Sequence, residues 1–255
     1  MSENHSPASQ FYTGLVAELY ESLAGEISRA DDYTPFLERF GTPALELACG
    51  SGLPMLDLID RGFAVEGLDS SADMLDLCWR RAAERGLAPQ LHLAEMQSFQ
   101  IPTRYRSIFL AGASFTLLTT DVDALNALDR IYQHLEPGGH ALIPLEVENL
   151  DEIRAQLGHP RESVDREGNR LRVVMLELEV SEDRRNHALC LRYQRIPPTG
   201  KTISVERRWE RRSWNPEQFR ELLLAAQFEE AKFLSPTGGP AEIDGSVFVA
   251  LVRKA

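Results

Sequence analysis

The sequence predicts an α/β chain built on a doubly wound sheet, and three observations carry that expectation. Short apolar runs alternate with amphipathic helical stretches between residues 42 and 148. A glycine-rich turn, "ACGSG" (48–52), closes the first run, and an acid, Asp69, ends the second about twenty residues on. After Glu148 the pattern changes to strands with no helix between them.

Phe11, Leu15, Val16, Leu19 and Leu23 recur at helical spacing, which predicts an opening helix over 9–25 that ends near Gly25. "TPALELA" (42–48) and "FAVEGLD" (63–69) read as strands around the helical "LPMLDLIDRG" (53–62), a unit whose length favours parallel pairing with a right-handed crossover. The next helix, "SSADMLDLCWRRAAERG" (70–86), has Ser70 as its expected cap, Asp73 in its positive first turn and Gly86 as its stop. "QLHLAEM" (90–96) and "YRSIFLAGAS" (105–114) give a third and a fourth strand. The helix "DVDALNALDRIYQHL" (121–135) gives way at "EPGG" to a fifth strand, "HALIPLEV" (140–147).

"LRVVMLELEV" (171–180), "ALCLRYQRI" (188–196) and "KTISVERRWERRSW" (201–214) then form an antiparallel meander. Asn215, Pro216 and Gln218 start a helix before "FRELLLAAQ" (219–227), and "FEEAKFL" (228–234) and "SVFVALVRK" (246–254) close the chain as two strands. The expectation is a Rossmann-like, doubly wound, seven-stranded mixed sheet formed by 1–148 and 215–255, with an inserted antiparallel β subdomain at 149–214 that roofs a pocket or makes a homodimer interface.

Composition narrows the function. A chain of 255 residues with net charge −12 lacks the basic surplus that nucleic acid requires. The start "MSENHSPASQ" has no apolar core, and no apolar run is long enough for a bilayer, so no membrane partner is expected. Three scattered cysteines without a CxxC pattern suggest reduced thiols and a cytoplasmic setting, and the six histidines show no metal-ligand spacing, so no metal is expected.

In a doubly wound sheet the ligand crevice lies beyond the carboxyl ends of the strands, where strand order reverses. Gly50 and Gly52 let a ligand approach the backbone there, and Asp69 can take both hydroxyls of a ribose, so a nucleoside is the expected occupant. The third glycine of a dinucleotide fingerprint is replaced by Met55, which weakens a pyrophosphate reading. Glu46, two residues before the turn, repels a diphosphate and suits an ammonium group.

With those residues in place, the chain resembles the class I S-adenosylmethionine-dependent methyltransferases, and within them the small-molecule branch that includes amino-sugar N,N-dimethyltransferases. The likeness rests on "FYTGLVAELYESL", "LELACGSG", "VEGLDSSADML", "LHLAEMQSF" and "LEPGGHALI", in that order. It implies S-adenosylmethionine as cofactor and S-adenosylhomocysteine as product. Ala48, Cys49 and Gly50 would lie against the methionine portion, Ser70 and Met74 would border the adenine, and Ala94, Glu95 and Met96 would grip its amine. Ala111 would offer a carbonyl to the methionine amine, while Tyr12 and Tyr20 would belong to a closing N-terminal helix.

The resemblance implies methyl transfer by in-line displacement to N or O of a small molecule. A histidine of the amino-sugar enzymes has no counterpart here, since Leu117 stands at its place. Glu146 is then the expected base with Tyr12 as an orienting hydroxyl, and Phe115 the expected wall of the acceptor pocket. Two alternatives stay open: a catalytically silent protein that binds the same cofactor, and an NAD-dependent oxidoreductase.

Overall fold

The computed structural model describes residues 8–23, 28–228, 230–235, 239, 241 and 246–255. The expected helix end at Gly25, the polar first seven residues and most of the 235–245 linker lie outside them. Seven strands form one mixed sheet: β1 (Ala44–Leu47), β2 (Val65–Asp69), β3 (Leu91–Leu93), β4 (Tyr105–Leu110), β5 (Leu135–Glu146), β10 (Glu230–Leu234) and β11 (Val247–Arg253). Their order is β10-β11-β5-β4-β1-β2-β3, with only β11 antiparallel to its neighbours. Strand order therefore reverses between β1 and β4, and a crevice opens beyond their carboxyl ends.

The sheet is covered on both faces. Leu45 and Leu47 point toward α6 (Asp121–His134) and α8 (Pro216–Ala225), in a core with Trp214, Phe219 and Leu223. Ala44 and Phe109 point the other way, toward α3 (Ala30–Phe40), α4 (Met55–Asp60) and α5 (Ala72–Glu84). Alternation along β1 puts Glu46 on the same face as Ala44. The expected Asn215 start of α8 is present as a reciprocal cap: Asn215 Oδ1 accepts from Gln218 N at 2.8 Å, and Gln218 Oε1 from Asn215 N at 3.0 Å.

The opening helix is broken in two, α1 (Ala8–Phe11) and α2 (Leu15–Leu23). Gly14 turns into the left-handed region at φ 53° and donates its N–H to Asp73 Oδ2 at 2.5 Å, while the Tyr12 carbonyl accepts from Ser71 Oγ at 2.5 Å. Backbone groups spent on α5 cannot continue a helical ladder. The result is that the N-terminal segment is pinned to the head of α5.

A second sheet, β6 (Pro160–Val164), β7 (Arg170–Val180), β8 (Asn186–Ile196) and β9 (Ile203–Arg212), is the antiparallel meander, entered through a short helix, α7 (Leu150–Ala155). Leu171, Val173, Leu189 and Leu191 on one of its faces pack against Phe11, Val16, Leu19 and Leu23 of the N-terminal helices. That contact gives the meander the cover its apolar face needs.

Candidate active site

The chain leaves β1 through three residues of positive φ: Ala48 (56°), Gly50 (53°) and Gly52 (90°). Only glycine fits at 52, where a Cβ would come within 2.7 Å of Cys78 Sγ and 2.9 Å of Leu56 Cγ. Asp69 fastens this turn. Its Oδ2 accepts from Gly50 N and its Oδ1 from Ser71 N, both at 2.8 Å. Burial raises the Asp69 pKa, against the pull of hydrogen bonds from the Ser71, Gly50 and Ser70 backbone. Ser71, and not Ser70, caps α5 by accepting from Met74 N at 3.2 Å, which leaves Ser70 at the rim of a cavity.

Glu46 is fully buried, and neither carboxylate oxygen has a hydrogen-bond partner. Burial, reinforced by the nearby Asp69 charge, holds its pKa well above the usual carboxylate value. A buried polar group left unpaired costs free energy, so the site is complementary to a cationic donor. Ala111 lies at the end of the same face: its carbonyl accepts from Ser28 Oγ at 3.2 Å, and the Tyr33 hydroxyl that reaches Ser28 at 3.4 Å feels the Glu46 charge.

A cavity of about 400 Å3 opens beside the turn and is lined by Ala48, Ser70, Glu95 and Met96, with Leu117 and Trp209 opposite. Glu95 Oε2 accepts from Gln97 Nε2 at 2.8 Å, and Ala94 N is tied to the Asp69 carbonyl at 3.0 Å. Met74 packs over the turn, with its Cε 3.1 Å from where a Gly50 Cβ would stand. Cys49 is buried beneath it. Burial first, then the Asp69 and Glu46 charges, push its thiol well above the ordinary value, so it is an inert wall. The third cysteine, Cys190, is only half-buried, unlike Cys49 and Cys78.

A second cavity, of about 460 Å3, lies between the N-terminal helices and the meander, and Tyr12, Tyr20, Tyr193, Trp209 and Glu148 are among its walls. Phe11 stacks on Trp209 at 5.9 Å, and this pair lines both cavities. Tyr12 meets Tyr20 edge to face at 5.5 Å. Burial raises the Tyr12 pKa far beyond its usual value, so its hydroxyl stays protonated.

Tyr12, Tyr20, Ala48, Ser70, Glu95 and Met96 are the expected residues that line the two cavities; Phe115 and Glu146 are among those that do not. Phe115 sits in the core against Trp214 (5.5 Å) and Phe219 (5.3 Å), fully buried, and lines neither cavity, because the 3-10 turn Ser114–Leu117 rolls it inward. Glu146 also lines neither cavity, and its Oε2 accepts from Arg211 Nη2 at 3.3 Å. Glu148, two residues on, reaches the second cavity instead. Burial alone would raise the Glu148 pKa, but His187 and Arg211 together hold it below the usual range. Arg211, itself buried, bonds Glu148 Oε1 and donates from Nε to Thr116 Oγ1 at 2.9 Å; His187 Nε2 touches Glu148 Oε2 without the alignment of a hydrogen bond. No sequence spacing signals this cluster, since its members come from four distant segments.

The strand order and the turn at the switch point define the class I S-adenosylmethionine-dependent methyltransferase fold, and solved relatives share it across nearly their whole length. A methyltransferase from Clostridium acetobutylicum superposes with a TM-score of 0.73 at 16% identity over 94% of this chain and 97% of the other. A sugar N-methyltransferase from a Streptoalloteichus species does so with 0.72 at 19% identity, over 100% and 99%. Residues 44–139 match the model of the methyltransferase domain family. A dTDP-3-amino-3,6-dideoxy-alpha-D-glucopyranose N,N-dimethyltransferase of Streptomyces fradiae is 29% identical over 140 residues, 52% of this chain and 53% of the relative. The chain thus spans about half the length of the curated relatives it matches. Among the described residues no helix is long and apolar enough to cross a membrane.

Proposed function

We propose that the protein is an enzyme that transfers a methyl group from S-adenosylmethionine to a nitrogen of a small molecule. The observation that carries the cofactor half is Glu46, a buried carboxylate with no partner, beside a glycine turn held by a second acid. Glu46 and the Ala111 carbonyl take the ammonium of the cofactor's amino-acid tail, and the Ala48–Gly52 backbone lies along that tail. Asp69 takes the ribose hydroxyls with the acceptor capacity its two backbone bonds leave. Ser70, Met74, Ala94, Glu95 and Met96 enclose the adenine, and Tyr12 and Tyr20 cover the site.

When bound, the cofactor supplies a sulfonium methyl, so that a nitrogen lone pair forms the new C–N bond while the C–S bond breaks and leaves its electrons on sulfur. The chain's part is alignment in a dry pocket, which the stacked Phe11 and Trp209 favour by excluding water. Nitrogen is favoured over oxygen because the nearby acids are engaged. Glu146 and Glu148 both face Arg211, and an amine needs only to lose a proton to solvent, whereas a hydroxyl needs a base within reach. The Streptomyces relative named above also acts on nitrogen by its name.

The division into a core (1–148 with 215–255) and a roof (149–214) belongs to the same proposal. The meander face opposite α2 carries ion pairs, Arg192–Glu206 at 2.7 Å and Arg208–Glu179 at 2.8 Å, which suits solvent better than an apolar dimer interface. Three free thiols are compatible with a cytoplasmic setting. Incubation with S-adenosylmethionine and a panel of primary and secondary amines is expected to yield a methylated amine and S-adenosylhomocysteine in equal amounts by mass spectrometry. Saturable cofactor binding without turnover of any acceptor supports the silent binding protein instead. Binding of NAD alone supports the oxidoreductase, against which Met55 stands fully buried at the position of the missing glycine.

A further inference from the structure

We infer that the methyl acceptor is an amine with an apolar, aromatic body and one acidic group, seated between α2 and the meander with its acid on Arg161. This rests on the methyl-transfer reading and adds the acceptor class to it. The cavity concerned is walled on one side by Val16 and Leu23 and on the other by Val173, Leu189 and Leu191, all buried. Tyr12, Tyr20, Tyr193 and Trp209 are among the rest, with the polar Gln156 and His159 toward the exposed side. The aliphatic walls return no hydrogen bonds, and a sugar hydroxyl buried against them would lose its water unrequited. An aromatic body loses nothing there and gains edge-to-face partners in Tyr12 and Tyr193.

Charge lies at the two ends of this cavity. At the inner end the Glu148 carboxylate is already matched by Arg211. At the mouth stand His159 and Arg161, both exposed. Arg161 is on β6 directly across from Val173, so it shares the face turned toward α2. Among the described residues no carboxylate pairs with it. On the same sheet Arg172 is with Glu162, Arg192 with Glu206, Arg195 with Glu18 and Arg212 with Asp121, while Arg170 and Arg207, which also lack a carboxylate among the described residues, do not line the cavity. In a chain with 39 acids and 27 Lys and Arg, an arginine at a cavity mouth without a partner is a ready anion contact. The far end of the cavity meets Tyr12, whose carbonyl is bonded to Ser71, and so adjoins the cofactor turn. An acceptor anchored by its acid at Arg161 points its other end there.

The test is calorimetry on the protein saturated with S-adenosylhomocysteine, titrated with phenethylamine, 4-(2-aminoethyl)benzoate, its phosphonate analogue, and 3-amino-3-deoxyglucose. The two acidic aromatic amines are expected to bind at least about tenfold more tightly than phenethylamine and the amino sugar, as for one charge-assisted hydrogen bond; the tighter of the two identifies carboxylate or phosphate as the preferred acid. Arg161→Ala, at an exposed position, is expected to remove that advantage and leave phenethylamine unchanged. An amino sugar that binds as tightly as 4-(2-aminoethyl)benzoate, an advantage that survives Arg161→Ala, or no binding of any aromatic amine overturns the inference. Failure of S-adenosylhomocysteine to bind strikes the methyl-transfer reading alone, because the amine titrations are also run without it.

Discussion

Glu46 is held in the folded protein with a raised pKa by burial and by Asp69. For such a group the stability contribution is fully present below the unfolded value near 4.5 and is lost as pH rises through the folded pKa, because the unfolded chain ionises first. Glu46→Gln is therefore expected to stabilise the free protein at neutral pH by on the order of 1–3 kcal/mol in denaturant unfolding, and to flatten its profile above pH 4.5. The same residue gives binding a proton signature. Cofactor binding that places an ammonium on Glu46 draws out its ionised form and releases a proton. The binding enthalpy of S-adenosylhomocysteine then varies with buffer ionisation enthalpy in the native protein and not in Glu46→Gln; equal behaviour of the two removes Glu46 from the ammonium site. Glu46, Gly50 and Asp69 were legible in the sequence because a turn and two strand ends are local and adjacent on the chain. Phe115 was not, because whether a residue after β4 faces a pocket or the core depends on the 3-10 turn that no periodicity announces.

Elements are tied together by polar groups the sequence does not pair. Arg211 on β9 joins the turn after β4 through Thr116 and the end of β5 through Glu146 and Glu148. Removing one partner of a buried pair leaves the other uncompensated, so Arg211→Met is expected to cost roughly 3 kcal/mol, much of it recovered in the double variant with Glu148→Gln. Additive losses in that cycle would show that the pair is not coupled. His134 at the end of α6 does similar work: its Nε2 accepts from Ile101 N at 3.0 Å while Nδ1 bonds the Arg130 carbonyl at 2.7 Å. Burial, chiefly, holds its pKa below 6.5, so the unfolded chain takes up a proton there that the folded one refuses. Stability is expected to fall as pH drops from about 6.5 toward the folded pKa, and His134→Gln to lack that slope in thermal unfolding followed against pH. Strands and long helices were readable from period and spacing. The helix α3 was passed over because "ADDYTPFLERF" carries Pro35 inside it, a breaker signal overridden by burial of Tyr33, Phe36 and Leu37. The edge strand β6 was missed for the opposite reason: "PRESV" is mostly exposed and has no apolar alternation.

At the scale of the molecule, seven strands in the expected arrangement bring a glycine turn and two acids to one crevice, and the meander that packs on the N-terminal helices is the least readable part of the chain. Parallel pairing follows from the lengths of the crossovers, but the docking of the meander on α1 and α2 follows from side chains far apart in sequence, as Glu18 and Arg195 at 2.6 Å illustrate. In the function proposed above, the site holds a single adenosyl amino acid, with Asp69 at the ribose and Glu46 at the ammonium. Calorimetric titration of S-adenosylhomocysteine into the native protein and into Asp69→Ala tests this most directly. One saturable site in the native protein, weakened at least about tenfold by the substitution, is the predicted result; no binding to the native protein, or the same affinity in both, contradicts it.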